Sequence, residues 1–332
     1  MFPYAGTVRS ILPQLLAVFA EREFHTLVDP FAGSGNLPYR LALSNRKEPF
    51  KLVLNDLNFY SEANLEAVFN GVHDLPDRSE LLPYTELETI FSGKLYGSGF
   101  GYWNDEYRKE FDSYVHWANT SGPTVKLDIL GLLGKVLMEA TFRGQAWADV
   151  DAAGFNIPND YTTERLRSQL ERVHKWVKLR LNSKILPTKV LSTQVTGLDA
   201  VADPVDLKRG GEGVLLYIDC PWPWTTANTS AYEFYNDVNF ALVGERSALS
   251  WDGEAEEYES SLIQSLILPH LRDGSTILMN KQSTTLPTIE GLENRFRAFG
   301  VEVMEVTKLP IRGRQGANLP DQYELLSELR AC

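Results

Sequence analysis

Asp219, Cys220, Pro221 and Trp222 stand together directly after Val214 to Ile218, an apolar run whose length predicts a buried strand. A carboxylate, a backbone stiffened by proline and a flat aromatic ring thus meet at the carboxyl end of a strand, where open α/β sheets bind their ligands. The set suits the grip of an exocyclic amine on a flat base. The amine of adenine is a poor nucleophile, because its lone pair is delocalised into the ring. The Asp219 carboxylate and the Cys220 main-chain carbonyl are two acceptors for its two N–H bonds, which would favour a pyramidal nitrogen, while Trp222 stacks on the base. A base in a duplex has to leave the stack first. Cys220 as a thiol nucleophile is the rival chemistry, but the sequence places no base or cation beside it to lower its pKa. A strand-end cap at Asp219, with Trp222 and Trp224 in a core, is the plain structural alternative.

A second group of residues suggests what the amine reacts with. Asp29-Pro30-Phe31-Ala32-Gly33-Ser34-Gly35 follows a predicted strand at Thr26–Val28 and precedes a predicted helix at Leu37–Leu43. Glycines at this turn let a backbone approach a ligand closely. A second strand, Leu52–Leu54, ends at Asn55-Asp56, and Asp56 lies 21 positions after Gly35. An acid at that spacing holds ribose hydroxyls in adenosine-type sites. The third glycine of the dinucleotide fingerprint is missing, since Asn36, Leu37 and Pro38 follow Gly35. That disfavours a pyrophosphate ligand and favours S-adenosylmethionine, which has no phosphate. A tight βα turn with no ligand would share part of this pattern.

These two groups need a sheet to position them. Helical periodicity marks Ser10–Ala20, and then Asn104–Trp117, Leu127–Ala140 and Tyr161–Leu181. Strands are predicted again at Lys189–Ser192, Val214–Ile218, Thr276–Met279, Val301–Val306 and Tyr323–Leu326, with a helix at Ser260–Leu271. Gly210-Gly211-Glu212-Gly213 reads as a flexible loop ahead of the Asp219 strand. The expected fold is α/β: a Rossmann-like sheet formed by residues 1–58 and 184–332, interrupted by a mainly helical insert at 59–183 with a β-hairpin-like stretch at 141–159.

The 332 residues, 43% hydrophobic, supply ample core, and no apolar run approaches the roughly 20 residues that span a bilayer. The segment MFPYAGTVRS lacks the layout of a signal peptide. Two cysteines make no disulfide framework and no Cys/His cluster suggests zinc, so a cytoplasmic protein without metal is expected. Net charge is −12, which by itself argues against nucleic acid. Tyr161 to Val190, however, carries eight basic residues against Glu164 and Glu171, a local +6. A basic face for DNA and a solvated helix face both fit that segment.

Taken together, the motifs resemble those of the Dam-type, α-group DNA adenine-N6 methyltransferases, over nearly the whole chain. Phe2-Pro3-Tyr4-Ala5-Gly6 is similar to that family's N-terminal Tyr/Trp-x-Gly-Gly-Lys segment, with Thr7 in place of Lys. Asp29 to Gly35 resembles Asp-Pro-Phe-x-Gly-Ser-Gly, and Asn55-Asp56 resembles the Asn-Asp at the cofactor ribose. Phe142-Arg143 with Gly154-Phe155-Asn156-Ile157-Pro158 resembles part of the family's target-recognition insert. Asp219 to Trp222 occupies the place of Asp-Pro-Pro-Tyr, with Cys220 for the first proline and Trp222 for tyrosine. Thr229 to Tyr232 and Glu324-Leu325-Leu326 also fit the layout.

The resemblance implies S-adenosylmethionine held by Tyr4, Ala5, Gly6, Asp29, Phe31, Gly33, Ser34, Gly35 and Asp56, with Asp199 nearest to the acid that meets the cofactor adenine. It implies catalysis by Asp219, Cys220, Pro221 and Trp222, and double-stranded DNA held through Arg143, Asn156, Arg165, Arg172, Lys175 and Tyr232. A restriction endonuclease is a further partner it allows. Methylation of an amine in RNA or of cytosine N4, and a DNA-binding relative that has lost turnover, are the alternatives left open by the residues.

Overall fold

The computed structural model describes residues 11–44, 50–56, 59–83, 85–87, 105–142, 162–181, 188–192, 209–219, 238–244, 255–282, 289–312 and 318–332. They fall into two compact units, one built on a sheet and one built of helices.

The sheet unit opens with α1 (Leu12–Ala20), which has Pro13 in its first turn, where a missing N–H costs nothing, and which buries Leu12, Leu15 and Phe19 on one face. Then come β1 (Thr26–Asp29), α2 (Asn36–Ala42) and β2 (Lys51–Asp56). The chain returns to this unit with β3 (Thr188–Ser192) and β4 (Val214–Ile218). The seven strands run in the order β3-β2-β1-β4-β5-β7-β6, where β5 is Thr276–Gln282, β6 Val301–Arg312 and β7 Asn318–Ala331. β1 to β5 pair in parallel, and β7 enters antiparallel between β5 and β6. The sheet is Rossmann-like and α/β, as the motif order predicts.

β4 is buried at all five positions, as a central parallel strand covered on both faces should be. On one face Val28, Leu216, Ile218, Ile277 and Met279 pack against Leu262, Ile263, Leu266, Ile267 and Phe296. These belong to a helix that runs as Ala255–Leu262, widens by a π-turn at Ile263–Ile267 and continues over Leu268–Arg272, and to the helix Ile289–Ala298. On the other face Phe19 of α1 meets Tyr217 edge-on at 5.5 Å and Phe24 at 6.2 Å.

The loop at 210–213 is a pinned turn rather than the flexible connection expected from its glycines. Val214 N–H donates to Gly211 O at 3.0 Å, Gly211 N–H to Ser275 Oγ at 3.0 Å, and His25 N–H to Gly213 O at 2.9 Å. Hydrogen-bonded backbone on both sides ties β4 to its neighbours at the start of the strand.

The helical unit contains α3 (Phe59–Phe69), α4 (Asp105–Thr120), α5 (Pro123–Phe142) and α6 (Thr163–Leu181). α3 and α5 approach so closely that a Cβ on Gly131 would lie 2.3 Å from Ala63 O. Residues 238–244, which the sequence boundaries assign to the sheet domain, pack here. Asn239 Oδ1 accepts from Tyr60 N–H at 2.9 Å, Leu242 O accepts from Asn119 Nδ2 at 3.1 Å, and Val238, Ala241 and Leu242 are buried. Their apolar spacing provides a face for α3, α4 and α5 to cover. α5 extends through Phe142, and the hairpin expected at 141–159 otherwise lies outside the described residues.

Candidate active site at the carboxyl ends of the strands

Strand order reverses between β1 and β4: the chain runs outward from β1 through β2 and β3, and in the opposite direction from β4. Such a switch point opens a crevice at the carboxyl ends of the two strands. Asp29 ends β1, and Asp219 follows β4 directly. Register places Val28 beside Leu216 and Ile218 beside Met279, so Asp29 stands beside Tyr217 and Asp219 beside Asn280. Strand alternation then puts Asp56, Asp29, Tyr217, Asp219, Asn280 and Glu324 on the face that α1 covers.

Within this row four of the five N–H groups from Phe31 to Gly35 bond inside the protein. Phe31 N–H donates to Asp29 Oδ1 at 3.3 Å, Ala32 N–H to Asn55 O at 2.9 Å, Gly33 N–H to Asp56 Oδ2 at 2.8 Å, and Gly35 N–H to Ala32 O at 2.8 Å. Asn55 Nδ2 also donates to Pro30 O at 2.9 Å. Gly33 and Gly35 have φ of 54° and 66°, in the left-handed region that favours glycine. The N–H groups of Phe31, Ala32, Gly33 and Gly35 are thus engaged within the protein, while no side chain caps the start of α2.

The row is acidic, and all of it but the half-buried Asp219 is buried. Burial pushes the Asp29 carboxyl up to about 8, partly opposed by the Phe31 N–H and reinforced by Asp56. Burial also raises Asp219 well above the carboxylate range, and the neighbouring charges of Glu324 and Asp29 add to the shift. Glu324 is raised by burial as well. Asn280 links the last two: its Nδ2 donates to Asp219 Oδ1 at 3.3 Å and to Glu324 Oε2 at 2.5 Å.

Of the expected site residues, Asp29, Phe31, Gly33, Ser34, Gly35, Asp56 and Asp219 are brought to this end of the sheet. Tyr4, Ala5, Gly6, Asp199, Cys220, Pro221, Trp222, Arg143, Asn156 and Tyr232 lie outside the described residues. Arg165, Arg172 and Lys175 sit on α6 of the helical unit and are exposed. Three of the basic side chains of α6 are paired there: Arg167 with Glu110 at 2.5 Å, Arg172 with Glu139 at 2.5 Å, and Lys178 with Asp74 at 2.6 Å. The local positive excess is therefore smaller in the fold than along the chain. Asn280 belongs to none of these motifs, although a polar pair, Asn280-Lys281, ending the apolar run of β5 is a strand-end signal of the same kind as Asp219.

Residues 4–96 match the family model of the D12 class N6 adenine-specific DNA methyltransferases. The matched segment contains β1, the glycine turn and Asp56. No curated protein matches the chain. Among solved structures, the chain is similar to wild-type Trm5b from Pyrococcus abyssi at 11% identity and a TM-score of 0.33, over 99% of this chain and 50% of that one. It thus spans half the length of that protein. It is also similar to the rRNA methyltransferase aviRa from Streptomyces viridochromogenes at 14% identity and a TM-score of 0.32, over 96% of this chain and 82% of that one. Among the described residues no helix is long and apolar enough to cross a membrane, and no group of His, Cys, Asp and Glu is arranged to hold a metal ion.

Proposed function

We propose that the protein is an S-adenosylmethionine-dependent methyltransferase acting on the N6 amine of an adenine flipped out of DNA. The observation that carries this reading is the pair Asp29 and Asp219 at the two strands flanking the switch point, with the match over residues 4–96 beside it.

The donor set fits the cofactor. A pyrophosphate needs free N–H groups at the glycine turn. Here those of Phe31, Ala32, Gly33 and Gly35 are spent on protein acceptors. Buried carboxyls at Asp29 and Asp56 instead suit a ligand that brings positive charge and hydroxyls. When bound, the sulfonium supplies an electrophilic methyl group. Asp56 would hold ribose hydroxyls and Asp29 the cationic portion.

Asp219 accepts an N–H of the target amine and so holds the nitrogen lone pair in line with its electrophile. The Cys220 carbonyl takes the second N–H, and Trp222 stacks on the base. Low local dielectric around Asp219 strengthens that hydrogen bond. The exposed cations of α6, Arg165 and Lys175 foremost, grip phosphates.

Incubation with methyl-labelled S-adenosylmethionine and mixed-sequence duplex DNA, followed by nucleoside mass spectrometry, tests the reading. N6-methyladenine is expected, and it should vanish in Asp219→Ala while calorimetry still detects cofactor binding. Full activity in Asp219→Ala removes the residue from catalysis. Product on RNA or on cytosine alone overturns the substrate.

A further inference from the structure

The Asn280 amide has two N–H bonds, and it donates to two different carboxyls, at Asp219 Oδ1 and Glu324 Oε2. Asp219 directly follows β4, while Asn280 lies on β5 and Glu324 on β7; the three strands are neighbours in the sheet, and the residues share one face. Asn280 is 1% exposed and Glu324 5%. A buried amide held at both hydrogens cannot rotate without leaving a desolvated carboxyl unpaired, so its orientation is fixed. We propose that Asn280 and Glu324 are positioning residues for Asp219: Glu324 anchors the Asn280 amide, and the amide holds Asp219 Oδ1, leaving Oδ2 as the oxygen fixed toward the substrate amine. This rests on the reading of Asp219 as the amine acceptor.

Across the Asn280 bridge the acid that Asp219 meets is Glu324. Asp29 lies toward β1, and Tyr217 precedes Asp219 on the same face. On β6, Leu309 stands opposite Glu324, while Lys308 lies over the Tyr323 ring at 5.2 Å. Lys281 points to the other face, 3.2 Å from Glu259 and 5.8 Å from the Phe296 ring centre, and Arg295 binds Glu259 at 2.8 Å. On the α1 side Arg22 is engaged by Glu328 at 3.1 Å. Glu324 also supports the raised proton affinity of Asp219 by charge.

Two measurements test the proposal. The first is methyl-transfer kinetics. Asn280→Ala and Glu324→Ala are expected to lower kcat roughly 10- to 100-fold with KM little changed, as misplacement of a reacting group does. Glu324→Gln, which keeps an oxygen for the amide, is expected to recover most of kcat. It should also shift the acid limb of the pH profile to lower pH, because one charge beside Asp219 is gone. The second is melting against pH for the unliganded protein, in a cycle of Asp219→Asn, Glu324→Gln and the double variant. Non-additive slopes support a coupled pair, whereas additive slopes overturn it. Wild-type kcat in Asn280→Ala also overturns it. The melting cycle needs no substrate, so it tests the coupling even where the methyltransferase reading fails.

Discussion

Asp56 at the end of β2 accepts the Gly33 N–H at 2.8 Å, so one strand end holds the turn that follows its neighbour. The acid expected to meet a ribose therefore also serves the fold. Asp56→Ala should lose cofactor binding and about 1–3 kcal/mol of stability, because a buried N–H is left without an acceptor. Asp56→Asn keeps an oxygen for Gly33 and should retain most of that stability while binding poorly. Urea unfolding beside calorimetry separates the two roles. Unchanged stability in Asp56→Ala would remove the structural one.

Stability should fall as pH rises. The Asp29 carboxyl is raised from 3.8 to about 8 in the folded chain, chiefly by burial. Between those values the folded state holds a proton that the unfolded state has lost. Its contribution is therefore fully present below pH 3.8 and is lost as pH rises through about 8. One such proton corresponds to about 1.4 kcal/mol per pH unit across the window. Melting of Asp29→Asn should show a shallower decline than the native chain. Parallel curves would mean that Asp29 is already ionised at neutral pH.

Gly131→Ala should destabilise the helical unit. Alanine in a helix interior normally gains about 1 kcal/mol over glycine. Here the new Cβ would meet Ala63 O at 2.3 Å, a backbone atom that can move only if α3 moves. A net loss of about 1–3 kcal/mol is expected, as for other overpacked cores. A higher melting temperature would show that the two helices separate freely.

If α6 grips DNA, its cations should differ in effect. Lys175→Gln removes exposed charge and should weaken DNA binding and flatten its salt dependence by about one unit of slope. Arg167→Gln should leave the slope nearly unchanged and cost folding stability instead, because Arg167 is engaged by Glu110. Equal slopes for the two variants would place the DNA face elsewhere.

The strand Val214–Ile218 is legible to the residue because five apolar side chains in a row leave little choice for a buried parallel strand. The turn from Asp29 to Gly35 and the end of β2 at Asp56 follow from local pattern in the same way. β6 and β7 are longer than their apolar stretches predict: they run 12 and 14 residues, and charged positions such as Glu302 and Lys308 mask the alternation on an edge pair. The helix Ile289–Ala298 carries no expectation from the sequence pattern. The cations of α6 are plain in the sequence, but their partners Glu110, Glu139 and Asp74 come from distant parts of the chain.

By itself, then, the sequence determined the strand-turn-helix-strand unit, the acids that close its strands and the class of sheet that carries them, because each depends on neighbours within a few tens of residues. Only the tertiary structure decided that Asn280 and Glu324 join Asp219 in one acidic row. That meeting requires β7 to enter antiparallel beside β5, a pairing between residues more than forty positions apart that no local periodicity encodes.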